Sequence, residues 1–412
     1  MRWAKVEYKN VFDYPLKGKT VFLRADLNSS VVEGRVVISS RLREHSKTIY
    51  ALSEEGAKVV VLSHQGRPGE EEFIELKRHA DFIKKFVDRP VKFVKWEADY
   101  VSEIKNMENG DIVVLDNTRF IKEEQEDKTP EEHANDPVIK KLGPLGDLFV
   151  QDALSVCHRP HSSVVGFKKY MPCVVGPQLQ RELEALDKLN GKGSGNRLVV
   201  LGGAKLSDSV SLLEGMLDNN LCNKACVGGL FGELFLKAQG VDFGAKEKFF
   251  REKGFDKLLP KAREILKKHS AKLILAKDFG IEEPRDSGKR KEAQLKELPS
   301  KFDTMDIGRE TSELFKEHIR GASVVVFNGP MGVYEKKAFA VGTKKVLEAI
   351  AFHRCYSIIG GGDTEKALTS FGLVAQDFSF VSLAGKALLQ FLSGEPLPGL
   401  EILEKNYSKP IK

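Results

Sequence analysis

The chain has 412 residues, 41% of them hydrophobic and 30% charged, with a formal net charge of +6. That length exceeds one hydrophobic core and fits two domains, and the composition excludes a disordered or collagen-like chain. The mild positive balance suits anionic ligands, yet it is dispersed along the chain rather than clustered with aromatics, which argues against nucleic acid. The first apolar run, VFLRAD from Val21, ends in polar residues as a buried parallel strand does, and Asp26 and Asn28 follow it. A helix is predicted from Arg41 to Glu55, then a strand from Val59 to Leu62 that empties into Ser63, His64, Gly66 and Arg67. Residues 70–86 read as helix and VKFVKW as a short strand; DIVVLDNTRF repeats the pattern and ends in Asn117 and Arg119. IKEEQEDKTPEEHANDP shows no core-forming period and reads as a solvated excursion, and DLFVQDALSVCHRPHSS adds a strand followed by Asp152, His158, Arg159 and His161.

Strands and helices alternating at this spacing imply a parallel sheet with helices on its faces. Ligands of such sheets bind beyond the carboxyl ends of the strands, which brings Asp26, Asn28, His64, Arg67, Arg119 and Arg159 to one rim. One arginine there would more often cap a helix or pair with an acid. Several, recurring strand after strand, make a site for a small anion with more than one charged group. Arg24, inside the strand, reads as structural, and His64, His158 and His161 as orienting or packing groups rather than catalysts.

PQLQRELEALDKLN (Pro177 to Asn190) places Leu179, Leu183, Leu186 and Leu189 on one helical face. Gly176-Pro177 opens this helix and GKGSGN closes it, so it reads as a mechanical link between two halves. In the second half, five strands run into turns: RLVVLGGAK with Lys205 near a helix start, KACVGG, AKLILAKDFG with Asp278 near its end, SVVVFNGPMGVYE, and CYSIIGGGDT. EPRDSGKRKEAQLKELPSKF reads as polar and exposed. Glycines between a strand and a helix let backbone N–H groups at the helix start reach phosphate oxygens. Asp363 beside them suits Mg²⁺, and Glu335 a ribose hydroxyl. Neither G-x-x-x-x-G-K-[ST] nor a G-x-G-x-x-G after a strand is present.

The five cysteines, Cys157, Cys173, Cys222, Cys226 and Cys355, form no CxxC pair and read as free thiols of a reducing compartment. Cys222 and Cys226 are spaced to share a helix face, where packing outweighs metal binding. MRWAKVEYKN is too polar for a signal peptide and no apolar run approaches a membrane span. A cytoplasmic protein without membrane contact is expected.

Taken together, LRADLN, SHQGRP, LDNTRF, QDALSVCHRPHSS, LGGAKLSD, NGPMGVYE and IIGGGDTEKAL resemble the phosphoglycerate kinase family, in order and over nearly the whole chain. The resemblance implies an α/β fold of two doubly wound parallel-sheet (three-layer αβα) domains joined by a hinge helix. Residues 1–172 would bind 3-phosphoglycerate, 173–196 would form the interdomain helix and linker, 197–400 would bind ADP or ATP, and 401–412 would be a C-terminal tail. It also implies reversible, Mg²⁺-dependent phosphoryl transfer between 1,3-bisphosphoglycerate with ADP and 3-phosphoglycerate with ATP, in glycolysis and gluconeogenesis. Carried over by motif, Asp26, Asn28, Arg41, His64, Arg67, Arg119 and Arg159 would hold the three-carbon acid, Arg41 coming from SRLRE, which is similar to the family's TRIRA. Gly203, Lys205, Gly229, Asn328, Glu335, Gly361, Gly362, Asp363 and Thr364 would serve the nucleotide, Asp363 the metal, and Arg41 with Lys205 the catalysis. A monomer or a homodimer is expected.

The chain also departs from the family's text. Ser209 stands where many members carry a second lysine, Leu230 replaces the third glycine of a GGG run, Arg309 a proline, and Lys386 a glycine. Ser209 and Leu230 look like the archaeal branch. A nucleotide-binding protein that lost turnover is the alternative; Lys205, Asp363 and Arg41 argue against it.

Overall fold

The computed structural model describes residues 7–189 and 195–405. The chain divides into two units, one running to Glu184 and resuming at Pro396, the other from Ala185 to Glu395. The division falls inside the helix Pro177–Asp187, which is shorter than the predicted Pro177–Asn190; positions 190–194, with most of the expected linker, lie outside the described residues. The segment from Pro396 joins the first unit, where the Gly399 N–H donates to the Cys157 carbonyl at 2.9 Å.

The first unit contains β1 (Thr20–Arg24), β2 (Val31–Val32), β3 (Arg35–Val36), β4 (Lys58–Leu62), β5 (Val91–Val94), β6 (Ile112–Leu115), β7 (Leu148–Gln151) and β8 (Cys173–Val175). β2 and β3 form a small antiparallel hairpin, and the other six make a parallel sheet in the order β5-β6-β4-β1-β7-β8. Every residue of β6 and β7 is buried, as expected of strands covered on both faces. The crossover helix Ser40–Glu54 starts where the Ser39 side chain accepts from the Leu42 N–H, and it turns Leu42, His45, Ile49 and Leu52 into the core.

The stretch read as a solvated excursion is only partly so. It contains the helix Pro130–His133, with a Thr129–Glu132 capping box, and its Glu124 is completely buried. The Ser163 backbone N–H (2.8 Å) and hydroxyl (2.6 Å) both donate to that carboxylate, which is how an acid from a charged stretch enters the core.

The second unit contains β9 (Arg197–Leu201), β10 (Lys224–Val227), β11 (Leu273–Leu275), β12 (Asp278–Glu282), β13 (Arg290–Gln294), β14 (Thr304–Ile307), β15 (Val324–Asn328), β16 (Tyr356–Gly360) and β17 (Phe380–Val381). Six of them form a parallel sheet in the order β11-β10-β9-β15-β16-β17. Its core includes Val200, Cys226, Phe315, Phe327 and Ile359. β13-β12-β14 make a separate antiparallel sheet that sequence reading missed. AKLILAKDFG thus holds two strands rather than one, and KRKEAQ is an edge strand rather than free loop. Asp278 opens β12 and accepts from the N–H groups of Glu310 (2.9 Å) and Thr311 (2.8 Å), so it caps the helix Arg309–Arg320. Cys226 lies on β10 and does not share a helix with Cys222; both are buried, with thiols that burial pushes up. Among the described residues no helix is long and apolar enough to cross a membrane.

Candidate functional site

At the carboxyl ends of β1, β4, β6 and β7 the first unit brings its polar residues together. Asp26 follows β1, is almost fully buried, and lies 3.4 Å from the Arg41 guanidinium while accepting a 2.6 Å hydrogen bond from Ser155. Burial works against the Asp26 anion, but Arg41 and the Ser155 hydroxyl outweigh it and hold the carboxyl far below the usual range. Asn28 turns back through its N–H to Asp26 (3.0 Å) and accepts from the Gly66 N–H at 2.9 Å, tying the β1 and β4 loops together. Arg41 sits in the first turn of Ser40–Glu54 and remains part-exposed.

Arg119, after β6, donates through Nη1 to the Gly66 carbonyl, and its buried Nε has no protein partner. Burial first, then the neighbouring Arg159, Arg24 and Arg67, bring its guanidinium down to about 10. Arg159, part-buried after β7, donates to His158 Nε2 at 3.0 Å and is likewise lowered by burial and by Arg67. Arg67 is exposed at the rim. His64 is buried beside Arg24, 3.2 Å from Nδ1 to Nη2, and its imidazole is driven well below its ordinary value by burial. Like charges held this close with a buried donor unsatisfied suit a polyanion. Ser155, Glu124 and Arg24 belong to this site although sequence reading left them out of it. Only Arg24 carried a signal, a charge inside an apolar run.

In the second unit three loops meet at the ends of β9, β15 and β16. The Gly202 N–H donates to the Asn328 carbonyl (3.0 Å), the Gly203 N–H to the Pro330 carbonyl (2.7 Å), and the Gly329 N–H to the Thr364 hydroxyl (3.1 Å). Gly361 has φ of +94°, and a Cβ there would lie 2.8 Å from Asn328 Oδ1, so the tight approach of GGGDT to NGPMG requires glycine. Gly362 begins the helix that runs to Phe371, with Asp363 in its first turn. Lys205 is the residue before the helix Leu206–Asp218 and lies 3.2 Å from Asp363. Gly229 opens the helix Gly229–Ala238, whereas Glu335 is exposed beyond β15. The rim therefore presents two helix starts, one ammonium and one carboxylate, the chemistry of a phosphate chain carrying a divalent cation.

Two residues that depart from the family's text are placed by this geometry. Ser209 is only 2% exposed on the Leu206–Asp218 helix. Lys386 is the exposed first residue of the helix Lys386–Ser393, which packs along Leu206–Asp218, and its ammonium lies 3.9 Å from Asp208.

The sequence profile of the family described as phosphoglycerate kinase matches residues 11–395. The chain is 40% identical over 400 residues to the phosphoglycerate kinase of Archaeoglobus fulgidus, covering 96% of each chain. It is 38% identical to that of Methanosarcina mazei, over 98% of this chain and 96% of the other. Among solved structures, the crystal structure of phosphoglycerate kinase from Pyrococcus horikoshii OT3 superposes with a TM-score of 0.87 at 34% identity, covering 95% of this chain and 98% of that one.

Proposed function

The chain belongs to the phosphoglycerate kinase family, and on that premise we propose that its two rims divide the reaction, the first holding the three-carbon acid and the second the nucleotide. The reaction is reversible phosphoryl transfer between 1,3-bisphosphoglycerate with ADP and 3-phosphoglycerate with ATP, a step of glycolysis and gluconeogenesis. With ATP as donor, a carboxylate oxygen of 3-phosphoglycerate attacks the γ-phosphorus, the bond to the β,γ-bridging oxygen breaks, and ADP leaves with that electron pair. The acceptor is already ionised at neutral pH, so no side chain has to remove a proton. Alignment and charge neutralisation are what remains for the protein to supply.

In this reading Asp26, Asn28, Arg41, His64, Arg67, Arg119 and Arg159 bind the acid. Asp26, held firmly ionised, also fixes Arg41. Gly203, Lys205, Gly229, Asn328, Glu335, Gly361, Gly362, Asp363 and Thr364 serve the nucleotide. Lys205 and Arg41 offset the charge of the transferring group. Among the described residues no group of three or more His, Cys, Asp or Glu side chains is placed to hold a metal ion by itself. A single carboxylate, Asp363, at a phosphate-binding helix start fits Mg²⁺ carried by the nucleotide, because this ion is commonly held by one or two carboxylates plus phosphate oxygens. Bound there, it would neutralise β- and γ-phosphate charge. The two ligands belong to separate units in this reading, and closure about the helix Pro177–Asp187, in which the division falls, is the proposed route by which they meet.

The observation that carries the acid assignment is the convergence of Arg67, Arg119 and Arg159 around a buried guanidinium N–H without a protein partner. Free thiols support a cytoplasmic setting. A coupled assay with 3-phosphoglycerate and Mg-ATP tests the whole: turnover is expected, and nucleotide binding without turnover would favour a binding protein instead.

A further inference from the structure

We propose that Arg24 is a positioning residue that locks His64 as the neutral tautomer protonated on Nε2, so that His64 offers the acid site a hydrogen-bond donor and not a charge. Arg24 is completely buried at the end of β1. Its Nε donates to Ser163 Oγ (3.0 Å), its Nη1 to the Ala25 carbonyl (2.5 Å), and its Nη2 lies 3.2 Å from His64 Nδ1. A guanidinium has five N–H donors and no acceptor. The contact with Nδ1 therefore exists only if Nδ1 keeps its lone pair, which leaves the ring proton on Nε2. An imidazolium would set N–H against N–H.

The guanidinium is itself fixed from behind. Ser163 Oγ accepts from Arg24 and donates to Glu124 Oε1 at 2.6 Å, and its backbone N–H donates to Oε2 at 2.8 Å. Since the hydroxyl proton is spent on Glu124, only the oxygen lone pair is left to meet Arg24, which sets the direction of the whole chain from Glu124 to His64. The charged groups facing His64 are Asp26, Arg24, Arg119 and Arg159. Burial and the three arginines disfavour the imidazolium, and Asp26 alone favours it. Arg41 and Ser155 already occupy the Asp26 carboxylate. The positive charge at the acid site is thus supplied by arginines, and His64 adds direction.

The inference rests on reading this rim as the acid site, and two measurements separate the claims. Long-range proton–nitrogen spectra of the full-length wild-type protein labelled at histidine, with His64 assigned by its loss in His64→Gln, read the tautomer directly. An unprotonated Nδ1 and a protonated Nε2 at pH 7 are expected; a protonated Nδ1, or an imidazolium, overturns the lock even if 3-phosphoglycerate binds normally. The pair Arg24→Met with Glu124→Gln removes the donor and its buried counter-charge together. It should expose a protonated Nδ1 and weaken 3-phosphoglycerate about threefold to tenfold, the loss of one neutral hydrogen bond, while leaving ADP affinity unchanged. Arg24→Lys, which keeps a donor, should recover part of that loss. Unchanged tautomer and affinity in the paired variant would overturn the positioning role, and if that variant fails to fold the wild-type spectrum decides alone. A locked tautomer in a protein that does not bind 3-phosphoglycerate would instead overturn the acid-site reading.

Discussion

The Lys205 ammonium lies 3.2 Å from the Asp363 carboxylate, joining the starts of two helices at the sheet rim of the second unit. The side chains are 69% and 50% exposed, so solvent screens the pair and it contributes little to stability, about 0–1 kcal/mol for contacts of this kind. Its chemistry is therefore expected to serve the ligand. Lys205→Ala should reduce turnover at least about a hundredfold, the scale of losing a donor aimed at developing charge. Its melting midpoint should move by less than about 4 °C. A large melting loss with turnover preserved would make the pair a structural strut.

Arg159 lies among like charges, beside Arg67 and Arg119. Arg159→Ala should weaken 3-phosphoglycerate by about 1.5–3 kcal/mol, the range for a charge-assisted hydrogen bond, and leave ADP binding intact. Calorimetry with each ligand checks this; equal losses for both, or none for either, would remove Arg159 from the acid site.

Asp152 holds the start of the proposed hinge. One oxygen accepts from the Gln178 N–H at 2.7 Å while the other lies 3.0 Å from His45 Nδ1, on the helix that carries Arg41. If this helix transmits closure, the radius of gyration by small-angle scattering should fall only when acid and nucleotide are both saturating. An unchanged radius under those conditions would rule out closure on that scale.

The resemblance puts Lys386 at a position usually glycine and Ser209 where many members carry a second lysine, and the helices that carry them pack together. Compensation from Lys386 is the sharper idea, but Asp208 stands 3.9 Å from its ammonium and offsets part of its charge. Lys386→Gly is expected to change turnover by less than about threefold, under 1 kcal/mol of transition-state stabilisation. A loss of about tenfold or more would establish compensation. Ser209→Lys is not a simple rescue, because Ser209 is buried and a lysine there must either be desolvated or displace its neighbours.

His79 gives the acid limb of stability. It donates through Nε2 to Gln65 Oε1 at 3.1 Å, and burial pushes its imidazole down to about 4. The unfolded chain, with an ordinary histidine near 6.5, binds more protons between those values, so stability is full above the unfolded value and is lost as pH falls towards 4. His161, pushed down to about 3 mainly by burial, acts in the same direction. Urea midpoints between pH 7 and 5 should fall, and His79→Gln should flatten that slope by up to about 1.4 kcal/mol per pH unit. An identical slope in the variant would exclude His79 as a source.

Much of this protein is written locally. Apolar runs ending at Asp26, His64, Asn117 and Asp152 define parallel strands, because a strand covered on both faces must be apolar until it leaves the sheet. The turns GGAK, NGPMG and GGGDT are as legible, since a backbone that must adopt positive φ or approach another closely needs glycine. Spacing along the chain says nothing, however, about which distant side chain meets which. Ser155 reaches Asp26 across 129 positions and Glu124 reaches Ser163 across 39, and neither leaves a periodic trace. The antiparallel sheet β13-β12-β14 was hidden for a related reason. Arg290 and Glu292 make β13 look solvated, and its identity as a strand comes from the ladder with β12 and from the Arg290–Asp306 pair at 2.6 Å. The positions of these loops were thus fixed by local chain chemistry. Whether Arg24 is a strut or a donor to His64, whether Ser209 has room for a charge, and which acid stands beside Lys386 were decided only when packing chose each side chain's neighbours.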